Sequence, residues 1–416
     1  MIPLKSIFRP QDAESSLWRY ATIDNYHVPA ALLGYALKER LVEVWKRLRA
    51  PHETSLTTLR DTVELQNISE SLLDAVAPEP TWQTAATAFR AAFAPWFELA
   101  PKERPLIFVI GPPYNGNADT LFLLAQEQEQ RVCTAPAPEQ ILDQDLTWLI
   151  QLEDDTTSWV IPALEQWYVR HVHGLTLLRQ LFERYYSGKL QAGIIGCDSW
   201  AWAYLTYIFH GCMPQAYTTQ AFDRNRLICW FRELAQKKNA GPDILFRHIT
   251  NGKDAFATAT DAVSRPNAHA DAKDFFSYLE SYSRGIPGIA LAIWRQSLRS
   301  APENAPVVQD ANSPKIQHDT TIWILPWAQI SLPQHPEPMK RIYTLVLHAL
   351  LLHHGLAVPI LTDILPYSSS EITQTLVTLQ EMKLVEHHED HWYVSAVGYP
   401  VVRQFLYDEG YLIDQF

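Results

Sequence analysis

The sequence predicts an α/β protein: a parallel sheet covered by helices, preceded by a helical segment and followed by smaller helical modules. Three observations carry that expectation. From Pro105 onward, short apolar runs alternate with stretches of helical periodicity, which is the pattern of strands joined by crossover helices. The first apolar run, Leu106 to Ile110, leads into a glycine-bracketed loop, Gly111 to Gly116, and then into a helix. From Pro338 the rhythm changes to three helices followed by two strands with a tight tip.

The bulk properties limit what the chain can do. At 416 residues it exceeds what one hydrophobic core serves, so two or three domains are expected. Hydrophobic residues at 47% against 19% charged describe a folded protein rather than a disordered one. A formal charge of -12 repels nucleic acid and anionic membrane at long range, so either contact would require a basic patch, and no strong one is visible. Cys133, Cys197, Cys212 and Cys229 lack CxxC spacing and read as reduced, buried thiols. MIPLKSIFRPQDAESS lacks the apolar core of a secretory signal. The apolar runs, such as Ile342 to Leu352, fall short of the roughly 20 residues of a membrane span. A soluble, cytoplasmic protein without membrane insertion is the expectation.

Before the sheet, Leu32, Leu33, Tyr35, Ala36, Leu41, Val42 and Trp45 are spaced for one buried helix face. VAPEPT (76–81) breaks the pattern, and a further helix runs from Trp82 to about Leu99. Five strands are then expected: Leu106 to Ile110, Arg131 to Ala135, Ser158 to Ile161, Ala192 to Gly196 and Met213 to Thr218. Between the third and fourth, Leu175, Leu178, Leu181, Phe182 and Tyr185 mark a helix. Beyond Gln220 the chain turns helical in RLICWFRELAQKK, and Asn251 to Asp274 reads as an exposed insertion. Two more helices follow, AKDFFSYLESYSRG and IPGIALAIWRQSL, and SAPENAPVVQDANSPKIQHD reads as a linker. After Pro338, PMKRIYTLVLHALLLHHG, VPILTDILP and the serine-capped SSSEITQTLVTLQEMKL precede the hairpin KLVEHHEDHWYVSAVG, the element order of a winged helix. The aromatic ending GYPVVRQFLYDEGYLIDQF reads as docked rather than free.

Gly111 and Gly116 keep the four-residue spacing of a phosphate-binding loop, whose glycines let backbone N–H groups wrap phosphates. Asn117 and Ala118 stand where its lysine and magnesium-binding hydroxyl would follow. Pro112 and Pro113 stiffen the loop, and Asp119 puts a carboxylate at the helix start, where it competes with a phosphate for the free N–H groups.

With its loop and strand sequence, the stretch from Pro105 to Leu298 resembles the core of AAA+ and related STAND P-loop ATPases. In these the third strand carries paired acids, the fourth ends in a polar sensor residue, and a helical lid follows. The appended winged helix is similar to the arrangement in origin-recognition-type members. The resemblance implies a P-loop NTPase-like sheet with a helical lid, plus an N-terminal helical segment and a C-terminal winged helix. It divides the chain into 1–100, the α/β core 101–225, the lid 226–300, a linker 301–338 and the winged helix with its tail 339–416. It would place nucleotide contacts at Gly111, Gly116, Asn117, Ala118, Asp119 and Thr120. The acid pair would fall at Pro162 and Ala163, with Glu165 two residues late. Asp198 or Ser199 would be the sensor, and Gly288 stands where the lid arginine is expected, with Arg284 and Arg295 as displaced alternatives. Asp154 and Asp155 are a rival acid pair, but the residues before them have helical spacing.

Lysine, hydroxyl, acid pair and lid arginine are thus replaced together, and phosphoryl transfer draws nearly all its acceleration from such groups. A catalytically inactive, regulatory or scaffolding protein is expected, with no cofactor, ATP being the disfavoured alternative. Residues activated in place of the lost ones would make it a working NTPase instead. Ser199 lacks the flanking glycines of a nucleophile elbow, and Cys197 lacks an assigned base. On the winged helix, the outer face of the third helix carries Glu371, Gln374, Thr378 and Glu381, and the tip adds Glu389 and Asp390. That balance suits a protein partner, or further copies of the chain, better than DNA. His387, His388 and His391 read as a solvated tip rather than a metal site, and His348, His353 and His354 as polar groups near a helix C-terminus.

Overall fold

The computed structural model describes residues 7–9, 16–29, 65–152, 157–190, 192–210, 213–237, 244–256, 275–301, 321–335 and 340–416. The chain divides into two units, one of Met1–His27, Thr81–Gln220 and Pro333–Phe416, the other of Val28–Pro80 and Ala221–Leu332. The helix expected over Leu32 to Trp45, Asp154, Asp155 and Cys212 lie outside the described residues.

The first unit is built on a six-stranded sheet. Its strands are β1 (Tyr20–Thr22), β2 (Ile107–Gly111), β3 (Arg131–Val132), β4 (Trp159–Ile161), β5 (Gly193–Asp198) and β6 (Ala216–Thr219). Their order across the sheet is β1-β6-β2-β5-β4-β3. β2 to β6 run parallel, and β1 adds an antiparallel edge beside β6. The five expected strands therefore form the parallel part, in the order fifth, first, fourth, third, second. β2 and β5 lie at its centre, and every residue of both is buried, as the unbroken apolar runs require of strands covered on two faces.

Around the sheet lie α1 (Gln83–Ala92), α2 (Asn117–Glu127), α3 (Thr176–Tyr186) and α4 (Ser199–Ile208). α2 buries Leu121, Leu124 and Ala125, and α3 buries Leu177, Leu178, Leu181 and Phe182. α4 begins at Asp198, whose carboxylate accepts the N–H of Trp200 at 2.9 Å, an N-cap placed at the very end of β5. Leu146–Leu152 forms a 3-10 helix, so the approach to Asp154 does not join the sheet.

The same unit holds the winged helix: α5 (Arg341–Leu352), α6 (Val358–Ile364), α7 (Ser369–Glu381), β7 (Val385–His388) and β8 (His391–Val394). Leu356 makes an isolated antiparallel bridge to Trp392 beside this two-stranded hairpin. α7 starts with a capping box, in which Ser368 and Glu371 satisfy each other's backbone N–H groups. α8 (Tyr399–Asp408) follows, and Phe416 is buried in the core of the sheet, 4.6 Å from the ring of Tyr26. The ending is docked, as its composition suggested.

In the second unit, Gln66–Asn67, Leu298–Ser300, Thr321–Ile324 and Leu245–His248 form a four-stranded sheet in that order. Helices Glu70–Val76, Arg224–Lys237, Phe275–Ser283 and Pro287–Ser297 accompany it. Trp294 anchors this core, with Phe231, Phe246, Phe256 and Phe276 all within 6 Å of its ring centre. Two expectations change here. The described part of 301–338 holds a strand, because Ile322 and Ile324 alternate inward beside Leu245–His248, and Ala255 and Phe256 of the expected insertion are buried, while 257–274 and 302–320 lie outside the described residues. Cys133 and Cys197 are buried as expected, whereas Cys229 is exposed on an outer helix face.

Candidate functional site

In open parallel sheets, ligands bind beyond the carboxyl ends of the strands, where the crossovers diverge to opposite sides. That point lies here between β2, which continues toward β3, and β5, which continues toward β6, with Gly111 in register with Asp198. The glycine-bracketed loop and the expected sensor residue thus share one crevice.

The loop is occupied by its own side chains. Pro112 and Pro113 have no N–H to offer a phosphate. The N–H of Asn115 donates to the carbonyl of Pro112 at 3.3 Å, and that of Asn117 donates to Asn115 Oδ1 at 2.9 Å. Asn115 is buried and lies against Gly111 where a Cβ would project, so only glycine fits there. Asn117, in place of the lysine, donates Nδ2 to the carbonyl of Val109 at 2.9 Å, turning back toward β2. Gly116 takes φ 73°, and the indole of Trp82 stands over it. Ala118 is half-buried, Asp119 exposed and Thr120 buried.

At the end of β4, Pro162 cannot extend the ladder. The chain makes one 3-10 turn, Leu164–Gln166, capped by Ala163. That turn brings Glu165, rather than Pro162 or Ala163, back into the crevice. Its Oε2 accepts the N–H of Asp198 at 2.9 Å, and both carboxylates are buried. Asp198 Oδ2 lies 3.4 Å from Nδ1 of His354, which follows α5. Burial first, and then the charge of Asp198, push the Glu165 carboxyl up to about 7, against the pull of His354. Burial also raises Asp198, opposed by its hydrogen bond to His354. Burial would lower His354, but the hydrogen bond and charge of Asp198, aided by Glu165 and Asp119, outweigh it and hold the imidazole above its usual value. The three groups act on one another's protonation through charge, with Asp198 between Glu165 and His354.

The winged helix closes the crevice. The hydroxyl of Tyr114, from the loop, lies against the carbonyl of Val394 in β8 and 3.4 Å from Glu386 in β7. Tyr168 donates to the carbonyl of Leu352 at 2.9 Å, and the N–H of Arg170 reaches His353 Nε2 at 3.3 Å. Ser199 spends its hydroxyl on the buried Asp414, which also binds Arg403 at 3.0 Å and the hydroxyl of Tyr399 at 3.2 Å. Neither Ser199 nor Cys197, whose thiol burial drives well up, is available as a nucleophile.

His348 and His353, polar groups near the end of α5, are neutral rather than cationic. Burial pulls both down to about 4, with Arg170 adding to the effect, so they are neutral near pH 7. In the second unit, Arg284 follows Phe275–Ser283 at φ 57°, Gly288 is the second residue of the next helix, and Arg295 pairs with Asp74 at 2.8 Å. On α7, Gln374 and Glu381 are exposed, Glu371 is held in the capping box, and Thr378 donates to the carbonyl of Gln374 at 2.9 Å. Among the described residues, no three His, Cys, Asp or Glu side chains gather as metal ligands, and no helix is long and apolar enough to cross a membrane.

Sequence reasoning found the loop, Glu165 and Asp198, but not the roles of Asn115 and Tyr114 within the loop, nor those of Trp82 and His354, which reach it from elsewhere in the chain. The one local signal was His354 directly before Gly355, a place where a turn redirects a side chain.

No protein-family model matches the chain, and no curated protein matches its sequence. Among solved structures it is similar to the RuvB Holliday junction branch migration motor of Thermotoga maritima, at 12% identity over 80% of this chain and 95% of that one, with a TM-score of 0.31. It is also similar to Cdc6p of Pyrobaculum aerophilum, at 11% identity over 83% and 99%, with a TM-score of 0.33. Superpositions this loose say nothing of chemistry. By its own strand order the chain has a mainly parallel α/β sheet with a glycine-bracketed loop between β2 and α2, and its first unit also holds a winged helix.

Proposed function

We propose that this chain is a catalytically silent AAA+-like protein that acts as a regulatory or scaffolding subunit through protein–protein contacts. The observation that carries the reading is the self-filled loop: Asn115 holds the N–H of Asn117, and Asn117 itself turns back to Val109. A phosphate would have to displace both. The acid side of the crevice supports the same reading, since Glu165 accepts the backbone N–H of Asp198 and the Asp198 carboxylate faces His354, rather than both being left to orient magnesium and water.

With phosphoryl transfer dependent on placed cations and magnesium, such a crevice has little left with which to accelerate hydrolysis. No nucleotide cofactor is expected, and the activity lies in what the chain holds. A protein partner, or further copies of the chain, fit the winged helix better than duplex DNA, because Glu381, Glu389 and Asp390 face outward where phosphate contacts would be needed. The cytoplasm is the proposed compartment.

The test is steady-state ATP turnover by the purified chain with magnesium. The expected rate is indistinguishable from background in the wild type and in Glu165→Gln. A rate above background that disappears in Glu165→Gln contradicts the reading.

A further inference from the structure

Working P-loop sites neutralise their phosphates and acids with a lysine and a metal ion. Here Glu165 and Asp198 are buried at the strand ends, and Asn117 stands at the lysine position. The group that reaches them comes from the winged helix. His354 sits between the C-cap His353 and Gly355, in a turn fixed by the bond from the N–H of Gly355 to the carbonyl of Leu350 at 2.9 Å. Its φ of 50° directs the ring away from α5, and Gly355 lies against Tyr393, where a Cβ would collide. The ring is 6.1 Å from that of Tyr393 and 6.5 Å from that of Tyr114. Its Nδ1 is 3.4 Å from Asp198 Oδ2.

We propose that His354 is the built-in counter-cation of this crevice: its imidazolium fastens the winged helix over the carboxylates at the ends of β4 and β5, and loss of its proton loosens that docking. The proposal rests on the silent-ATPase reading and names the device that regulates the crevice.

The groups facing the ring are Asp198 from β5, Glu165 from the turn after β4, Asp119 from α2, Tyr114 from the loop and Tyr393 from β8. Glu386 stands beyond the Tyr114 hydroxyl, and Asp414 acts on Asp198 from behind. On the far side, His353 and His348 lie near Arg170. The carboxylates outnumber the positive charge that the ring can supply. Because His354 holds its proton more tightly when docked, its contribution is full below about pH 6.5, the unfolded value, and is lost as pH rises through the docked value. Glu165 works in the same direction, since its raised carboxyl favours the docked state until pH passes about 7.

The experiment is hydrogen exchange of the full chain at about pH 6 and about pH 8.5, corrected for the intrinsic pH dependence of exchange. A group that holds its proton more tightly in the docked state makes opening easier as pH rises through its range. Amides of α5, β7 and β8 should therefore open measurably more at the higher pH, relative to β2. His354→Gln should shrink the difference to the part that Glu165 carries, and His354→Arg should keep the winged helix more protected than in the wild type at the higher value. Equal protection at both values in the wild type, or an unchanged difference in His354→Gln, overturns the proposal. In case the variants fold poorly, the nitrogen shifts of His354 in the wild type give a second readout: a titration midpoint above 6.5 supports the proposal, and one at or below 6.5 overturns it. A parallel arm with Mg-ATP keeps the two readings apart. Protection of the loop by nucleotide overturns the silent-ATPase reading, while the pH series still judges His354.

Discussion

The side-chain oxygen of Asn115 accepts the backbone N–H of Asn117 at 2.9 Å, which closes the loop between β2 and α2 upon itself. Restoring the missing side chains alone should therefore not restore binding. Asn117→Lys combined with Ala118→Thr is expected to show no saturable Mg-ATP binding by calorimetry. The double variant should also lose about 1 kcal/mol of stability in urea unfolding, because the bond from Asn117 Nδ2 to Val109 disappears.

The contact between Gly116 and Trp82 predicts a second result. Alanine at 116 would have to adopt a φ of 73° and would meet the indole ring. Gly116→Ala should cost about 1–3 kcal/mol, and adding Trp82→Ala should relieve the steric part while leaving the backbone part. Urea midpoints of the two single variants and the double variant separate these contributions.

Asp414 ties the end of the chain to the rest of the unit. It receives Ser199, Tyr399 and Arg403, and both it and Arg403 are largely withdrawn from water. Asp414→Ala leaves a guanidinium without its buried partner, and a loss of about 3–5 kcal/mol is expected. Chemical denaturation measures it, and Asp414→Asn, which keeps one acceptor oxygen, should lose less.

Acid should weaken the same unit through the other two histidines. His348 and His353 have folded values of about 4, below the unfolded 6.5, so their contribution is present above pH 6.5 and is lost as pH falls toward 4. Each carries up to about 3 kcal/mol of that loss. Replacing His348 by Phe should flatten the decline in urea midpoint between pH 6.5 and 4.5 relative to the wild type. An identical slope in the variant contradicts the assignment.

The sheet was legible because its central strands are buried on both faces, and burial leaves unbroken runs such as LIFVI and AGIIG in the sequence. The winged helix was legible for a related reason: α5 and α7 keep helical spacing up to their ends, and Ser368 with Glu371 marks a start. Thr321–Ile324 was hidden because a four-residue strand carries little periodicity and follows a polar, proline-rich stretch. In the crevice, the absence of the lysine could be read directly from Asn117. What replaced it could not, since His354 lies more than two hundred residues from Asp119 and reaches the crevice only through the docking of another module. Glu165, named from the sequence as two residues late, reaches the crevice because the turn after Pro162 returns the chain to the strand ends. Spacing along a chain locates side chains within one element and says little about those brought in by tertiary contact.

The central claim, that the loop is filled from within and takes no nucleotide, is tested most directly by equilibrium binding of Mg-ATP and Mg-ADP to the wild-type chain, read as calorimetric heat and as a shift in the thermal unfolding midpoint. The account predicts no saturable heat and no shift at millimolar nucleotide. Saturable binding that raises the midpoint, and that weakens when Gly111 is replaced by a larger residue, would contradict it.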